Sequence, residues 1–415
     1  MRFVPICFVL ASAAALVGCP DATPGSPDGA GGSGNGGGST GGAGGGIAGA
    51  PNFANATPVE LESPGGRSAD EFGWAVATSG DTVVVGAYRD YSSLIVGGAV
   101  HVFVRDGDGY AVQTSLRAQP AEANSFFGSA TSISGDVLWS GAQAYSEPLE
   151  VAGAAYVMTR NGDSWVSQQF LQQDPPETYG KFGNSVAVSG STAVIGAPTL
   201  DGKAFVYEST GGDWTLTSEL VADESINDFG YAVAIDGDTA LVGTRAHPET
   251  PSTVFVFVRD GRDWVQQAKL VAGNGGADFG SCVSLSGNTA VVGSDLGAAN
   301  AAYVFVRTGT TWTQEAELTA DDGAQDDAFG SAVAVSGNVA VVGAPDHDGQ
   351  SLNGGGTYVF ARSAGDWSQQ TKLLQPGGDD DARFGVSVAI DGPVAVVGAV
   401  NDATGTGSAT IYRAE

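Results

Sequence analysis

The chain is short of cysteine, histidine and basic residues for its length. Its 415 residues include 3 Cys and 3 His, and 17 Lys and Arg stand against 46 Asp and Glu, which gives a formal charge of −29. Nucleic acids and anionic lipid surfaces are bound mainly through Lys and Arg. The charge balance therefore argues against both as direct partners, whereas cations and basic ligands suit it better.

The scarcity of cysteine limits how the fold can be held together. Cys7 lies in an apolar N-terminal segment and Cys19 follows that segment, so only Cys282 remains in the body of the chain. No intramolecular disulfide can then form, and packing must stabilise the fold. Cys282 stands in a strand pattern where its counterparts are Ala232 and Ala332, which predicts a small buried side chain.

Long apolar runs are absent after the N-terminus. The segment from Phe3 to Val17 follows one basic residue and has the length of a secretory signal, too short for a spanning helix. It ends in Leu16-Val17-Gly18-Cys19, which resembles the bacterial lipobox. This resemblance implies a lipoprotein signal peptide at residues 1–18 and lipid attachment at Cys19. An ordinary secretory signal with an incidental cysteine is the alternative.

The residues after Cys19 predict a tether. Gly, Ser, Ala, Thr and Pro dominate there, and such a composition cannot bury enough apolar surface to become ordered. We expect a lipidated, flexible segment over residues 19–53 that holds residues 54–415 away from a membrane. Pro20 stands where an Asp often signals inner-membrane retention, so the lipoprotein resemblance favours the outer membrane of a bacterial cell envelope.

Residues 54–415 contain seven copies of one unit. Phe182 to Pro198 is the most regular copy, with Phe-Gly at its start, Gly-Ala-Pro at its end and two runs of small and β-branched residues around Ser-Gly. This pattern predicts two short strands joined by a tight turn. A spacing of 47 to 55 residues is typical of a propeller. The Phe-Gly pairs begin at Phe72, Phe127, Phe182, Phe229, Phe279, Phe329 and Phe384.

The remainder of each unit predicts two more strands. Aromatic and β-branched residues alternate in Tyr303 to Arg307, and a fourth strand begins at an aromatic residue such as Trp264. The predicted fold is therefore all-β, a seven-bladed β-propeller of four-stranded antiparallel blades. The last unit ends after its third strand, and Thr57 to Ser63 resembles the end of a fourth strand. We expect this N-terminal strand to complete the last blade and close the ring.

The unit at Phe182 to Pro198 resembles the FG-GAP repeats of integrin α-subunit propellers, and more closely the bacterial repeats of that type. The resemblance covers the chain from about residue 57 to residue 415. Many integrin repeats hold calcium between their first two strands, but here that site is only a short turn such as Ser79 to Asp81. Such a turn cannot supply about six to eight oxygen ligands. No cofactor is therefore expected, with calcium as the alternative.

The loops after each second strand vary most between units. We predict ligand-binding residues there, although Asp346 and Asp348 also resemble the start of a calcium loop and are the metal candidates. An enzyme at the propeller mouth could use His247 or His347 with Arg245. No Ser-His-Asp, Cys-His or zinc pattern accompanies them, so enzyme activity is not expected. The predicted ligand-binding residues are Tyr88, Arg89, Asp90, Arg245, His247, Asp346, His347 and Asp348.

Together these patterns favour a membrane-anchored binding or scaffold module of the cell envelope. The expected partner is a protein or glycan, membrane contact is through the lipid alone, and the chain is expected to be a monomer that binds no nucleic acid. The acidic loops, such as Asp321 to Asp327, form either a solvated rim or a surface that attracts a basic ligand. A polysaccharide lyase or hydrolase and a calcium-dependent adhesin are the alternatives.

Overall fold

The computed structural model describes most of the chain from residue 50 onward. The described residues are 50–67, 69–90, 97–199, 202–224, 226–245, 252–274, 278–294, 300–349, 351–401 and 405–414. The predicted signal peptide, Cys19, the tether up to residue 49 and His247 lie outside these ranges. Within them the regular structure is entirely β, and no helix has the length and apolar character needed to span a membrane.

The described residues form 28 strands. Their bounds, grouped by blade, are β2 (Phe72–Ser79), β3 (Thr82–Ala87), β4 (Ala99–Asp106) and β5 (Gly109–Leu116); β6 (Ala130–Ser134), β7 (Val137–Ala142), β8 (Ala154–Asn161) and β9 (Ser164–Leu171); β10 (Ser185–Ser189), β11 (Thr192–Ala197), β12 (Lys203–Ser209) and β13 (Trp214–Leu220); β14 (Ala232–Asp236), β15 (Thr239–Gly243), β16 (Val254–Asp260) and β17 (Asp263–Leu270); β18 (Cys282–Ser286), β19 (Thr289–Ser294), β20 (Ala301–Thr308) and β21 (Thr311–Leu318); β22 (Ala332–Ser336), β23 (Val339–Ala344), β24 (Gly356–Ser363) and β25 (Asp366–Leu373); and β26 (Ser387–Asp391), β27 (Val394–Ala399), β28 (Ser408–Arg413) and β1 (Pro58–Glu62).

The strands make seven antiparallel sheets of four strands each, arranged as a closed propeller. First strands of neighbouring blades lie side by side around the central channel. In the last sheet β1 pairs with β28, with Leu61 opposite Ala409, so the N-terminal strand closes the ring. The predicted fold class and closure are confirmed.

The two ends of the propeller differ in their connections. The loop face carries the connections between second and third strands and those between each fourth strand and the next blade. The turn face carries the short turns between first and second strands and between third and fourth strands. These names are kept below.

The Phe-Gly pair fixes the start of each blade. Gly183 has a φ of +85°, and a Cβ there would lie 2.1 Å from the carbonyl oxygen of Ala154 in the preceding blade, so only glycine fits. The ring of Phe182 is fully buried and packs 5.5 Å from Phe205, on the third strand of its own blade. Burying a ring of this size contributes about 1.5–3 kcal/mol.

Hydrogen bonds between blades encircle the channel at the turn face. In each first turn the glycine N–H donates to the Ser or Asp side chain that ends the preceding blade's first strand, over 2.6–3.1 Å. The bond from Gly80 to Asp391, 2.7 Å long, joins the first blade to the last. The repeated Ser-Gly is thus part of the scaffold.

Arginines at the ends of third strands link neighbouring blades. Arg259 bonds to Asp238 in its own blade and to Glu208 and Thr192 in the preceding blade, and its guanidinium lies 4.9 Å from the Trp264 ring centre. Pairing of such an arginine with nearby carboxylates recurs in other blades. The others that do so are Arg105, Arg160, Arg362 and Arg413, whereas Arg307 bonds to Asn288 and Thr239.

Cys282 is a packed scaffold residue, as predicted, and so is His101. The His101 ring lies 5.5 Å from Phe72, the distance at which Tyr303 packs on Phe279 in another blade. Cys282 is fully buried, and its thiol donates to the carbonyl oxygen of Gly330.

The folded part of the chain begins before residue 54. Phe53 is only 1% exposed, and its N–H donates to the side chain of Gln370 over 3.0 Å. The same side chain donates back to the carbonyl oxygen of Pro51. β1 lacks the aromatic residue that starts the other fourth strands, and Phe53 supplies one to the core of the last two blades. Composition had placed it in the tether, since one Phe among Pro, Asn and Ala gives no strand pattern.

Candidate functional site

The loop-face mouth of the channel is bordered by seven copies of one tight turn, X-Phe-Gly-Z. In each copy the N–H of Z donates to the carbonyl oxygen of X over 2.9–3.2 Å, and X has a φ between +50° and +63°. Because first strands are innermost, X and Z lie around the mouth. X is Glu71, Phe126, Lys181, Asp228, Asp278, Ala328 and Arg383, and Z is Trp74, Ser129, Asn184, Tyr231, Ser281, Ser331 and Val386.

Three aromatic residues meet at this mouth where blades 1 and 2 join. The ring of Tyr88 lies 4.7 Å from that of Trp74 and 5.2 Å from that of Phe126. Tyr88 is buried, whereas Trp74 and Phe126 are half-buried. Trp74, Tyr88 and Phe126 are called the aromatic cluster below. The partly exposed rings of Trp74 and Phe126 thus pack against the buried ring of Tyr88.

An ion pair borders the aromatic cluster. Arg89 Nη1 lies 3.1 Å from Glu71 Oε1, and the guanidinium lies 5.2 Å from the centre of the Tyr88 ring. Burial raises the pKa of Glu71, while the positive charges of Arg89 and Arg383 act in the opposite direction. The predicted residues Tyr88 and Arg89 therefore lie at the mouth with partners from both neighbouring turns.

Asp90 departs from the predicted ligand-binding role. Its side chain is 0% exposed and pairs with Arg117 over 3.2 Å, and His101 Nε2 lies 3.6 Å away. The prediction depended on the charged residues of the loop itself. It could not show that Arg117, which directly follows β5, pairs with this carboxylate. Asp70, at the end of another acidic loop, is likewise fully buried.

His347 lies in a buried charged network at blade 6. Its Nδ1 is 2.8 Å from Asp327 Oδ2, and its Nε2 is 3.2 Å from the Nζ of Lys372. An ammonium group only donates, so Nε2 must accept and Nδ1–H must donate to Asp327. Both ring nitrogens are engaged within the protein, which leaves neither directed at a substrate.

Asp322 and Tyr358 complete this network. Lys372 donates to Asp322 Oδ2 over 2.6 Å and Tyr358 donates to Oδ1 over 2.8 Å. Burial raises the pKa of Tyr358 and the Asp322 carboxylate raises it further. Partial burial opposes ionisation of Asp322, but the hydrogen bonds from Lys372 and Tyr358 outweigh it and lower its pKa.

The two metal candidates are engaged in other contacts. Asp346 Oδ1 accepts from Arg383 Nε over 3.0 Å, and Asp348 Oδ1 accepts from the N–H of Asn353 over 2.9 Å. Within the described ranges no three His, Cys, Asp or Glu side chains are grouped so as to hold a metal ion. The exposed Asp321, Asp326, Asp380 and Asp381 form a negative rim at blades 6 and 7, called the acidic rim below.

Arg245 lies away from the His347 network, on blade 4. Its guanidinium is 5.3 Å from the ring centre of Tyr231, a Z residue of the mouth. His247, predicted to act with it, is outside the described residues. The structure thus brings Arg245 to the mouth and does not bring it to His347.

Comparison with known proteins gives the family. The model of the FG-GAP repeat matches residues 59–103, 165–207, 264–305, 312–360 and 367–412, more than half of the chain. The chain belongs to the FG-GAP repeat family. The blades that start with β6 and β14 lie largely outside these matches yet have the same strand order. Such a propeller is consistent with a binding or scaffold module.

A solved structure shows the fold at low identity. The chain is similar to one in the crystal structure of the mitotic checkpoint complex, with a TM-score of 0.56, 12% identity and coverage of 87% of this chain and 95% of that one. This likeness concerns the fold alone. No curated protein matches the chain.

Trp74 and Phe126 are not among the residues that the sequence predicts for the site, and Glu71 is predicted only as part of an acidic loop. All three are X or Z residues, so they stand directly beside Phe-Gly. A signal was present, because X and Z vary from copy to copy while the Phe and Gly between them do not. Variable letters within an otherwise repeated unit therefore identify the mouth.

Proposed function

We propose that this FG-GAP propeller is a binding or scaffold module of a bacterial cell envelope, anchored through a lipid on Cys19, whose loop face contacts a protein or glycan. The observation that carries the proposal is the concentration of variable side chains at one face. X, Z and the loops after the second strands differ between blades, whereas the turn-face hydrogen bonds recur around the ring. In proteins, binding residues often lie on variable loops that a rigid scaffold holds in position.

The position of the N-terminal segment supports this orientation. β1 is antiparallel to β28, so it enters at the turn-face end, where Pro58 lies opposite Tyr412. Residues 51–53 pack beside it on the outer strand of blade 6. A tether that joins the side wall leaves the loop face open to the surroundings of a membrane.

The turn face offers less to a ligand. A cavity of about 740 Å³ opens there, and its lining includes Ser134, Ser189 and Asp236 of the hydrogen-bonded ring together with Arg259 and Glu208. Each of these side chains already bonds within the scaffold. The loop face remains the better candidate for binding.

The test is retention of partners from an envelope extract. The chain from residue 20 onward is immobilised, and retained proteins and glycans are identified by mass spectrometry. We expect a specific partner that is lost when the loop-face residues Trp74 and Asp380 are both replaced by Ala. Retention that survives this change, or no specific retention, contradicts the proposal. Replacing Cys19 by Ala should move the full-length protein from the membrane fraction to the soluble fraction.

A propeller-mouth polysaccharide lyase or hydrolase is the second candidate, favoured only by the His347–Asp327 pair. The engagement of both His347 nitrogens supports a structural role instead. Turnover of a polysaccharide that is lost in His347→Ala while the melting temperature is kept would establish the enzyme. Calcium-dependent adhesion, the third candidate, requires a higher melting temperature in calcium than in chelator.

A further inference from the structure

We propose that the aromatic cluster, with Arg89 and Glu71, is a subsite for one ring of a neutral glycan. This inference rests on the proposed function, because it names the ligand class for part of the same face. A sugar ring presents an apolar C–H face and a rim of hydroxyl groups. It therefore needs a flat apolar surface with a few fixed donors and acceptors beside it.

The aromatic cluster supplies the apolar surface. Tyr88 is buried and forms the back of the cluster, with Trp74 at 4.7 Å and Phe126 at 5.2 Å. Both flanking residues are held by backbone hydrogen bonds of the X-Phe-Gly-Z turns. The N–H of Trp74 donates to the carbonyl oxygen of Glu71, and the carbonyl oxygen of Phe126 accepts from the N–H of Ser129. The half-buried rings therefore present surface at the mouth without the freedom of residues on a long loop.

The ion pair supplies the polar contacts. The Arg89 and Glu71 side chains are 33% and 18% exposed, and one Nη1 to Oε1 contact of 3.1 Å joins them. A guanidinium has five N–H donors and a carboxylate accepts several hydrogen bonds. The pair can thus hold its own geometry and still offer a donor and an acceptor to neighbouring hydroxyl groups.

The charges around the cluster disfavour a cationic side chain as its occupant. The position over the buried Tyr88 ring is already taken by Arg89, 5.2 Å from the ring centre, so a Lys or Arg of a partner would meet a like charge there. An anionic sugar would meet Glu71 and a chain of formal charge −29. A neutral saccharide avoids both costs.

The test is affinity electrophoresis of the chain in gels that contain a neutral polymer. Separate gels hold β-glucan, xylan or galactomannan, and further gels hold polygalacturonate or poly-lysine. We expect at least one neutral polymer to retard the chain, and Trp74→Ala to weaken that binding at least about tenfold, equivalent to about 1.4 kcal/mol. Trp74→Phe, which keeps a ring, should retain most of it. Tyr179→Ala is the matched control, since it removes an exposed aromatic of the loop face outside the cluster and should change nothing.

The inference is overturned if no neutral polymer retards the chain, or if retardation survives in a folded Trp74→Ala variant. Binding to poly-lysine that depends on Trp74 would overturn it in favour of a basic protein partner. A shift of tryptophan fluorescence on adding the neutral polymer, absent in Trp74→Phe, gives an independent readout. If an envelope partner is still retained while no neutral polymer binds, the subsite is wrong and the proposed function stands.

Discussion

The loop pairs at the junction of blades 2 and 3 and at the junction of blades 6 and 7 have one backbone arrangement. In each, two N–H groups of the connection between blades donate to consecutive carbonyl groups of the loop after the second strand, and a short parallel bridge follows. The matching contacts are Tyr179 to Glu150, Lys181 to Val151 and Gly153 with Phe182 in the first pair, and Asp381 to Leu352, Arg383 to Asn353 and Gly355 with Phe384 in the second.

The side chains on this shared frame differ. The first pair exposes Leu149 and Tyr179, the latter 53% exposed, whereas the second exposes Asp380 and Asp381 beside Leu352. The frame is therefore scaffold, and the chemistry of each region depends on the residues it carries. The first pair presents an exposed tyrosine, and the second presents two adjacent exposed aspartates.

The largest expected effect comes from breaking the shared frame. Gly153 and Gly355 have φ values of +83° and +85°, and a Cβ at either would lie within 2.3 Å of the backbone of Phe182 or Phe384. Gly153→Ala and Gly355→Ala should each reduce the free energy of unfolding by about 2–4 kcal/mol. Chemical denaturation measures both. Gly107→Ala, with a φ of +61° and no atom within 4 Å, is the control and should cost only about 1 kcal/mol. Clearly unequal losses at the two junctions would contradict the shared frame.

A smaller loss of stability is expected at the position where the two junctions carry different buried side chains. His347 occupies the position that Tyr145 has in blade 2. The N–H of Gly355 donates to the carbonyl oxygen of His347, as the N–H of Gly153 donates to that of Tyr145. His347→Ala leaves the buried Asp327 carboxylate without one donor, which should cost about 1–3 kcal/mol of stability. His347→Asn can replace the Nδ1–H donor and should restore part of that loss. Asp348→Ala, at an exposed position, should change stability by less than about 0.5 kcal/mol.

The acidic rim should affect binding rates with little effect on stability. Asp326→Asn combined with Asp380→Asn removes two exposed charges. At low salt, association of an oligo-lysine probe should slow several-fold because electrostatic steering weakens. Stopped-flow measurements at two ionic strengths test this. Tyr179→Ala, at the junction of blades 2 and 3, is the matched control and should leave the rate unchanged, since it removes no negative charge. An equal slowing in both variants would show that the two regions act as one.

The smallest expected effect is a pH-dependent one at Asp322. The pKa of Asp322 is lowered in the folded state. Its contribution to the free energy of unfolding is therefore fully present above the unfolded-state pKa of about 3.9, and it is lost as pH falls through the folded-state pKa. Asp322→Asn should cost at most about 1 kcal/mol at neutral pH because the pair with Lys372 is half exposed. The difference from the parent chain should shrink as pH falls from the unfolded value through the folded one. Urea unfolding over a series of pH values from neutral to acid tests this, and a difference that does not shrink in acid would rule out the ion pair as its cause.

The sequence predicted the ring because the fold depends on local rules that recur. Phe-Gly marks a positive φ and a close backbone contact, and Ser-Gly marks a tight turn, so seven copies reveal seven blades. The site depends on contacts between blades. Trp74 and Phe126 are brought together across Tyr88, and His347 meets Asp327 and Lys372 from separate elements. No periodic pattern encodes these meetings, and the same lack of pattern hid the role of Phe53.

Site-specific photo-crosslinking tests most directly the claim that binding occurs at the loop face. A photoreactive residue is placed at Tyr179 or Leu352 on the loop face, or at Asp108 or Asp213 on the turn face, all of which are exposed. After irradiation of cells that produce the protein, crosslinked partners are identified by mass spectrometry. Binding at the loop face should give crosslinks to a specific partner from the loop-face positions and none from the turn-face positions. Crosslinks from Asp108 or Asp213 with none from Tyr179 or Leu352 would contradict it.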